Sequence, residues 1–324
     1  MNIYHDPLYG DFQLESILVE LIKSPPMQRL KGIHQGGASY LVNASWNITR
    51  YEHSIGVMLL IRKLHGSLKE QIAGLLHDIS HTAFSHVIDL SLDINREDFH
   101  ESIFHKVVLD SEIPEILERY HYTFHDIFSK NWPLLDREAP FLNADRIDYT
   151  LRDVVAYQDI SLDACHTFID SLFVQDDYIV SDSLDRCVWF VRMYKKEVID
   201  FFYNPLNVYG YEILSSALKI ALEKKIISYN DLLKTDDEVM SLLLASQDSQ
   251  IELLLEKIQK DVSFIHTTTE FDIHQKKKLR FIDPLVSINS HTHVSSQLSS
   301  SISLINNQIL QFSDRGIFLK VIEN

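Results

Sequence analysis

AGLLHDISHTAFSHVID, residues 73–89, is the stretch on which the reading of this chain turns. Ile72, Ala73, Leu75, Leu76 and Ile79 recur at helical spacing, so a helix is predicted over about 69–79, with a second over about 81–91. The first carries the pair His77–Asp78 at its C-terminal end, and His81, His86 and Asp89 follow closely. Imidazole beside carboxylate suits first-row divalent cations such as Mn, Fe, Co, Ni or Zn. Both side chains reach one ion only if the helix end tilts towards it. A lone His–Asp pair is common by chance, so the pair needs company elsewhere in the chain.

That company lies on both sides. TRYEHSIGVM, residues 49–58, supplies His53 on a predicted helix over about 51–64, with Arg50 before it as a two-pronged donor for phosphate. FLNADRIDYTLRD, residues 141–153, places Asp145, Tyr149 and Asp153 four apart, on one face of a helix over about 141–156. His53, His77, Asp78 and Asp145 then form a set of two imidazoles and two carboxylates, which leaves open positions on a six-coordinate ion. Water bound at such a position becomes a nucleophile for phosphorus. His81, His86, Asp89 and His100 are candidates for proton transfer or for contact with a phosphate oxygen. The bland readings stand beside these. A histidine in a helix is more often a surface or satisfied core residue, and His65, His105, His121 and His125 are read that way. The 145/149/153 stripe would also suit a solvated helix face.

The bulk composition narrows the class. The chain has 324 residues, is 45% hydrophobic, and contains only 9 glycines and 8 prolines, which favours a large packed core over a linker or a many-turned β-sandwich. A net charge of −16 argues against an extended nucleic-acid surface, because phosphate backbones are gripped by clustered Lys and Arg. A bound metal ion is then a compact way to concentrate positive charge. Cys165 and Cys187 alone imply no disulfide framework, no signal peptide pattern opens the chain, and no run approaches a membrane span. A cytoplasmic protein without membrane contact is expected.

Further along, a β-hairpin is predicted over 1–15 around Pro7 and Gly10, and a second within 170–190. Helices are predicted over about 16–23, 25–34, 98–109, 112–120, 123–129, 192–203, 206–225, 229–234, 236–246 and 249–258. The stretch 262–324, rich in Ser, Thr and β-branched residues, reads as short strands. The expected division is therefore a helical core over 1–260 and a small β-rich subdomain over 261–324. Within the latter, HTH at 291–293 and QKKKLR at 275–280 read as surface features, although the basic run would touch a phosphate if it folded over the pocket.

YHDPLYG (4–10), MQRLKGIHQGGASYLV (27–42), TRYEHSIGVM, AGLLHDISHTAFSHVID, FHES (99–102) and NADRIDYTLRD (143–153) run in an order that resembles the HD-domain phosphohydrolase superfamily. They are most similar to its branch of SAM-and-HD-domain deoxynucleotide triphosphohydrolases and bacterial relatives. The resemblance covers residues 4–155, with weaker helical similarity to about 260. It implies a mostly α fold: an HD-domain helical core with a small β-hairpin insertion and a small α+β C-terminal region. By the resemblance His53, His77, Asp78 and Asp145 take the metal-ligand places, for one divalent cation (Mn, Fe, Ni, Zn or Mg). His81, His86, Asp89 and His100 take catalytic places around the scissile phosphate. Gln35, Arg50, Arg146, Tyr149 and Asp153 match positions that contact phosphate or sugar.

The implied function is a metal-dependent nucleotide phosphohydrolase, with a (deoxy)nucleoside triphosphate as leading substrate and manganese among the expected metals. The alternatives are a phosphomonoesterase on a nucleoside monophosphate or other small phosphate, and a low-turnover nucleotide-binding regulator. A homo-oligomer is expected by family analogy alone. Departures from the pattern bear on substrate. Gly36 replaces a bulky apolar residue and Ser80 a glycine. In DFFYNPLNVYGYEIL (200–214), Pro205 stands in the place of a phosphate-gripping arginine and Ile213 in that of a sugar-stacking tyrosine. No SAM domain is expected within these 324 residues.

Overall fold

A computed structural model describes residues 3–94, 96–258 and 261–323. The expected boundary at 260/261 abuts residues 259 and 260, which lie outside the described residues. The helix Arg50–Lys63 sits at the centre. Thr49 caps it, its hydroxyl accepting from the Glu52 amide while the Glu52 carboxylate accepts from the Thr49 amide. Every residue from His53 to Ile61 is buried, so this helix is enclosed on all sides and shows no polar stripe. Met58, Leu59, Leu60 and Ile61 are fully buried, each contributing about 1.5–3 kcal/mol relative to exposure. The helix Leu68–Leu76, capped by Ser67, packs along it. The helix Ala144–Tyr157 packs along it too, with the Asn143 side chain accepting from the Arg146 amide.

A second apolar cluster joins the helices Pro205–Glu223, Asp236–Ala245 and Ser249–Ile258 to the short helix Val87–Ser91. The N-terminal strands Ile3–Asp6 and Gly10–Gln13 form the predicted hairpin, with Ile3 opposite Gln13. Among the described residues no helix is long and apolar enough to cross a membrane.

Three stretches differ from the sequence reading. The second hairpin, Leu172–Gln175 with Tyr178–Ser181, turns through Asp176 and Asp177 at positive φ, but it ends there: Leu184–Lys195 is helical and runs into a π-helical segment over Lys196–Phe201. The stretch 262–324 is not all strand, because Ser300–Arg315 forms a sixteen-residue helix. Its strands divide between two sheets. Leu285–Ile288 pairs in parallel with Tyr178–Ser181 and antiparallel with His291–Val294, while Ile317–Glu323 lies between Val262–His266 and Ile273–Gln275. The expected helix over 81–91 begins only at Val87, since Phe84 and Ser85 are left-handed, with φ of 60° and 49°. Their turn is pinned from outside: Asp236 accepts from the Phe84 amide at 2.6 Å, and the Ser85 hydroxyl donates to the His34 carbonyl at 2.6 Å.

Candidate metal centre and active site

All thirteen side chains singled out above line one cavity of about 850 Å³, within the range of small-molecule sites. The Leu68 helix stops at Leu76, so His77 and Asp78 stand in the turn after it and no tilt of a helix end is required. His53 Nε2 lies 3.1 Å from Asp145 Oδ1 and 3.7 Å from Asp78 Oδ2. His77 Nε2 lies 3.4 Å from Asp78 Oδ1 and 3.8 Å from Asp145 Oδ1. Three separate stretches thus bring four donor groups to one point.

The far sides of both rings are occupied. His53 Nδ1 faces Asp148 Oδ2 at 2.7 Å, and His77 Nδ1 faces the Gly74 carbonyl at 2.7 Å. With Nδ1–H donated outward, each Nε2 turns a lone pair towards carboxylates, an arrangement that calls for a positive charge between them. The buried Nε2 of His77 has no hydrogen-bond partner. The donor set therefore fits a divalent cation, or failing one a proton. Burial disfavours charge on His53, yet hydrogen bonds to Asp145 and Asp148 override it and push its pKa up to about 10. Burial likewise opposes ionisation of Asp78, but the Arg50 guanidinium, with Nη1 at 2.7 Å, and the neighbouring imidazoles hold its carboxyl well below the usual range.

Beside Asp78 three histidines form a second group. His81 and His100 stack at 3.8 Å between centroids, and His86 meets both edge-on at 5.0 and 5.3 Å. Burial, then the charges of Arg50 and His100, drives His81 well down; burial, then the charge of His86, takes His100 down to about 3. Asp89 Oδ2 accepts from His86 Nδ1 at 3.0 Å, which turns His86 Nε2 away from it, and Asp89 Oδ1 accepts from the amide of Phe99, next to His100. Ser80 donates to the His100 carbonyl at 2.9 Å, so this departure from the family pattern has a structural use.

The remaining residues divide. Gln35 donates to Asp153 at 3.2 Å, and Tyr149 donates to the Tyr194 hydroxyl at 3.0 Å. Arg50 also reaches Ser85, and Arg146 donates to the carbonyls of Arg137 and Phe141, so both guanidinium groups are partly committed within the protein. His291 and His293 lie on a strand that does not line the cavity. Gly36 has no room for a side chain, because a Cβ there would lie 2.6 Å from Ser39 Oγ. Ile213 packs among apolar side chains, whereas Tyr211 from the same helix lines the cavity.

Four residues beside the candidate site were not singled out individually in the sequence. Asp148 orients His53; its only signal was its place three residues after Asp145. Glu197 lies fully buried against the cavity residue Asp153. Lys277 and Arg280 line the cavity from the basic run, which the sequence reading left as a surface feature unless it folded over the pocket.

The HD domain family model matches residues 50–146. The uncharacterized protein YdhJ of Bacillus subtilis is 49% identical over 320 residues, covering 98% of each chain. The metal-dependent phosphohydrolase cns2 of Cordyceps militaris is 28% identical over 291 residues, 87% of this chain and 84% of its own. The deoxynucleoside triphosphate triphosphohydrolase SAMHD1 of Gallus gallus is 32% identical over 143 residues, 37% of this chain and 23% of its own. The chain belongs to the HD-domain superfamily of metal-dependent phosphohydrolases.

Proposed function

We propose that His53, His77, Asp78 and Asp145 hold one divalent cation and that the protein hydrolyses a phosphate ester or anhydride of a nucleotide, a deoxynucleoside triphosphate being the first candidate. The observation that carries this reading is the pair of Nε2 atoms turned towards two carboxylates, at 3.1 and 3.4 Å, in the wall of a cavity large enough for a nucleotide. When bound, such a cation supplies a Lewis-acidic centre that activates water and polarises a phosphoryl oxygen. The chain's own groups do the rest. His86, backed by Asp89, holds a ring nitrogen free to carry a proton, while His81 and His100, kept neutral, offer hydrogen bonds without adding charge. Gln35, Tyr149 and Asp153 would orient the sugar, with Arg50 and Arg146 near the phosphates.

In this reading residues 1–260 form the catalytic core and 261–324 an appendage that contributes one wall of the cavity. The names of the relatives support the reading: cns2 as a metal-dependent phosphohydrolase, and SAMHD1, over part of the chain, as acting on deoxynucleoside triphosphates. Pro205 at the start of its helix favours a second reading, a phosphomonoesterase, because the arginine expected there is lacking.

The test is a nucleotide panel with the Mn²⁺- or Mg²⁺-loaded protein, with products separated by ion exchange. Inorganic triphosphate identifies the first reading and orthophosphate the second. Asp78→Ala should abolish both bound metal and turnover; a variant as active as the parent would remove the assignment.

A further inference from the structure

In a chain of net charge −16, the run QKKKLR at 275–280 concentrates positive charge, and the fold carries it to the cavity. The segment leaves the strand Ile273–Gln275 and is fastened at two places. The Lys277 amide donates to the Tyr203 hydroxyl at 2.9 Å. Glu97, from the loop before the helix Phe99–Leu109, accepts from the Lys278 amide at 3.4 Å and pairs with the Arg280 guanidinium. Arg280 in turn lies over the Phe202 ring, 5.3 Å from its centroid. Burial opposes the Glu97 charge, but Arg280 first and then His86 and Lys277 take its carboxyl down to about 2, so the latch stays ionised.

Lys276 and Lys278 are exposed, whereas Lys277 turns inward, as alternation along an extended segment requires. Its Nζ sits 4.3 Å from the centre of the Tyr211 ring, and among the described residues no carboxylate lies within ion-pair distance of it. Glu97, whose charge acts on it, is already engaged by Arg280. A partly buried ammonium held over an aromatic ring without its own carboxylate is a site short of one anion. A solvated basic face would not turn its middle lysine inward or fasten two adjacent backbone amides and an arginine side chain to the body of the protein.

We propose that residues 275–280 form a strap that binds the phosphate groups of the substrate not under attack. Lys277 supplies the free charge, and Arg280 and Glu97 hold it in place. Resting on the phosphohydrolase reading above, this strap takes over the task of the arginine that Pro205 displaces, and it favours substrates with a polyphosphate tail.

The test separates the two readings. Binding of orthophosphate, pyrophosphate and tripolyphosphate to the metal-loaded full chain is measured by calorimetry, with the same excess of divalent metal throughout, so that no turnover is needed. Lys277→Gln should weaken tripolyphosphate binding about tenfold or more, as expected for loss of a charge-assisted contact. It should leave orthophosphate within about threefold and metal content unchanged. Lys277→Arg should retain the affinity, and Lys320→Gln, a surface cation, should match the parent. In turnover, Lys277→Gln should raise KM with little change in kcat. Equal tripolyphosphate affinity in parent and Lys277→Gln overturns the strap, as does a parent that binds no tripolyphosphate. Binding through Lys277 in a protein that hydrolyses nothing upholds the strap and overturns the hydrolase.

Discussion

His53 Nδ1 and Asp148 Oδ2 are 2.7 Å apart, and both side chains are buried. Asp148 also accepts from the Tyr9 hydroxyl at 2.9 Å and from Arg152 Nη2 at 2.8 Å, and Arg152 reaches Asp6 at 3.1 Å. A chain of contacts therefore runs from the N-terminal hairpin to the imidazole that faces the proposed metal site. A carboxylate in this position fixes the ring's tautomer and orientation, and losing such a partner costs about 10–100-fold in metal affinity. Asp148→Asn should raise the Mn²⁺ dissociation constant by that factor. An unchanged constant would deny Asp148 this orienting role.

Gly56 is a second point, besides His53, at which the same network touches the central helix. A Cβ built there would lie 1.9 Å from Asp148 Oδ1 and 2.2 Å from Arg152 Nη2. Gly56→Ala must drive apart a buried ion pair that has nowhere to go. Breaking such a pair costs about 3–5 kcal/mol, against the small gain in helix propensity that alanine would otherwise bring. Urea unfolding should show that loss. A midpoint at or above the parent's would mean the network has slack that its geometry denies.

The proposed ligand set could be read from the sequence because its residue types are rare together and follow in chain order: His53, then His77–Asp78, then Asp145. The central helix was legible for a related reason, its apolar positions and Thr49–Glu52 cap being local signals. What escaped notice depends on distant partners. Residues 81–86 carry helical-looking apolar spacing, yet Asp236 holds the Phe84 amide from about 150 positions away in a left-handed turn. The helix Ser300–Arg315 hid behind serines and asparagines, because Ile302, Asn306, Ile309 and Ser313 make a half-polar buried stripe. Lys277 escaped because a basic run is normally a solvated face; its inward turn exists only once Tyr203 and Glu97 have fastened the strap.

Without a cation, His53 stands among Asp78, Asp145 and Asp148, and its pKa is pushed up to about 10. The ring therefore carries its second proton throughout the neutral range and gives it up only as pH rises through about 10. A metal that takes Nε2 must expel that proton. Adding Mn²⁺ at pH 8 to chelator-stripped protein in weak buffer should release about one proton or more per site, since His77 is raised too. Affinity should weaken as the solution is made more acidic. Uptake of metal with no fall in pH would contradict the placement of Nε2 in the site.

Glu197 and Asp153 form a buried acidic pair. Neither Glu197 oxygen nor Asp153 Oδ1 has a hydrogen-bond partner; burial pushes Asp153 up to about 7, and burial with the Asp153 charge beside it holds Glu197 well above the usual carboxylate range. The folded protein therefore holds a proton that the unfolded chain releases above about pH 4. Stability contributed by this pair is present in acid and is lost as pH rises towards 7 and beyond. Glu197→Gln removes one of the two competing charges. At pH 8 it should raise Tm by about 2–4 °C, with little change at pH 5. A loss of stability at pH 8 would mean that the Glu197 charge is compensated by a contact outside this pair.

Asp89 acts on two histidines with one carboxylate, Oδ2 on His86 Nδ1 at 3.0 Å and Oδ1 on the Phe99 amide at 3.0 Å, where the helix bearing His100 begins. Both contacts require an acceptor. An asparagine keeps one oxygen and offers a donor in the other position, so Asp89→Asn must either free the amide or release His86 to the opposite tautomer. In either case a ring nitrogen that should carry the proton in the cavity is misplaced. Proton transfer by a positioned side chain is worth about 10²–10⁴-fold, and partial misplacement should cost kcat about 10–100-fold. Metal content should stay at the parent's level, because Asp89 touches none of the four proposed ligands. Equal loss of metal and of kcat would instead assign Asp89 to the metal centre, and a kcat within twofold of the parent's would remove His86 from the proton path.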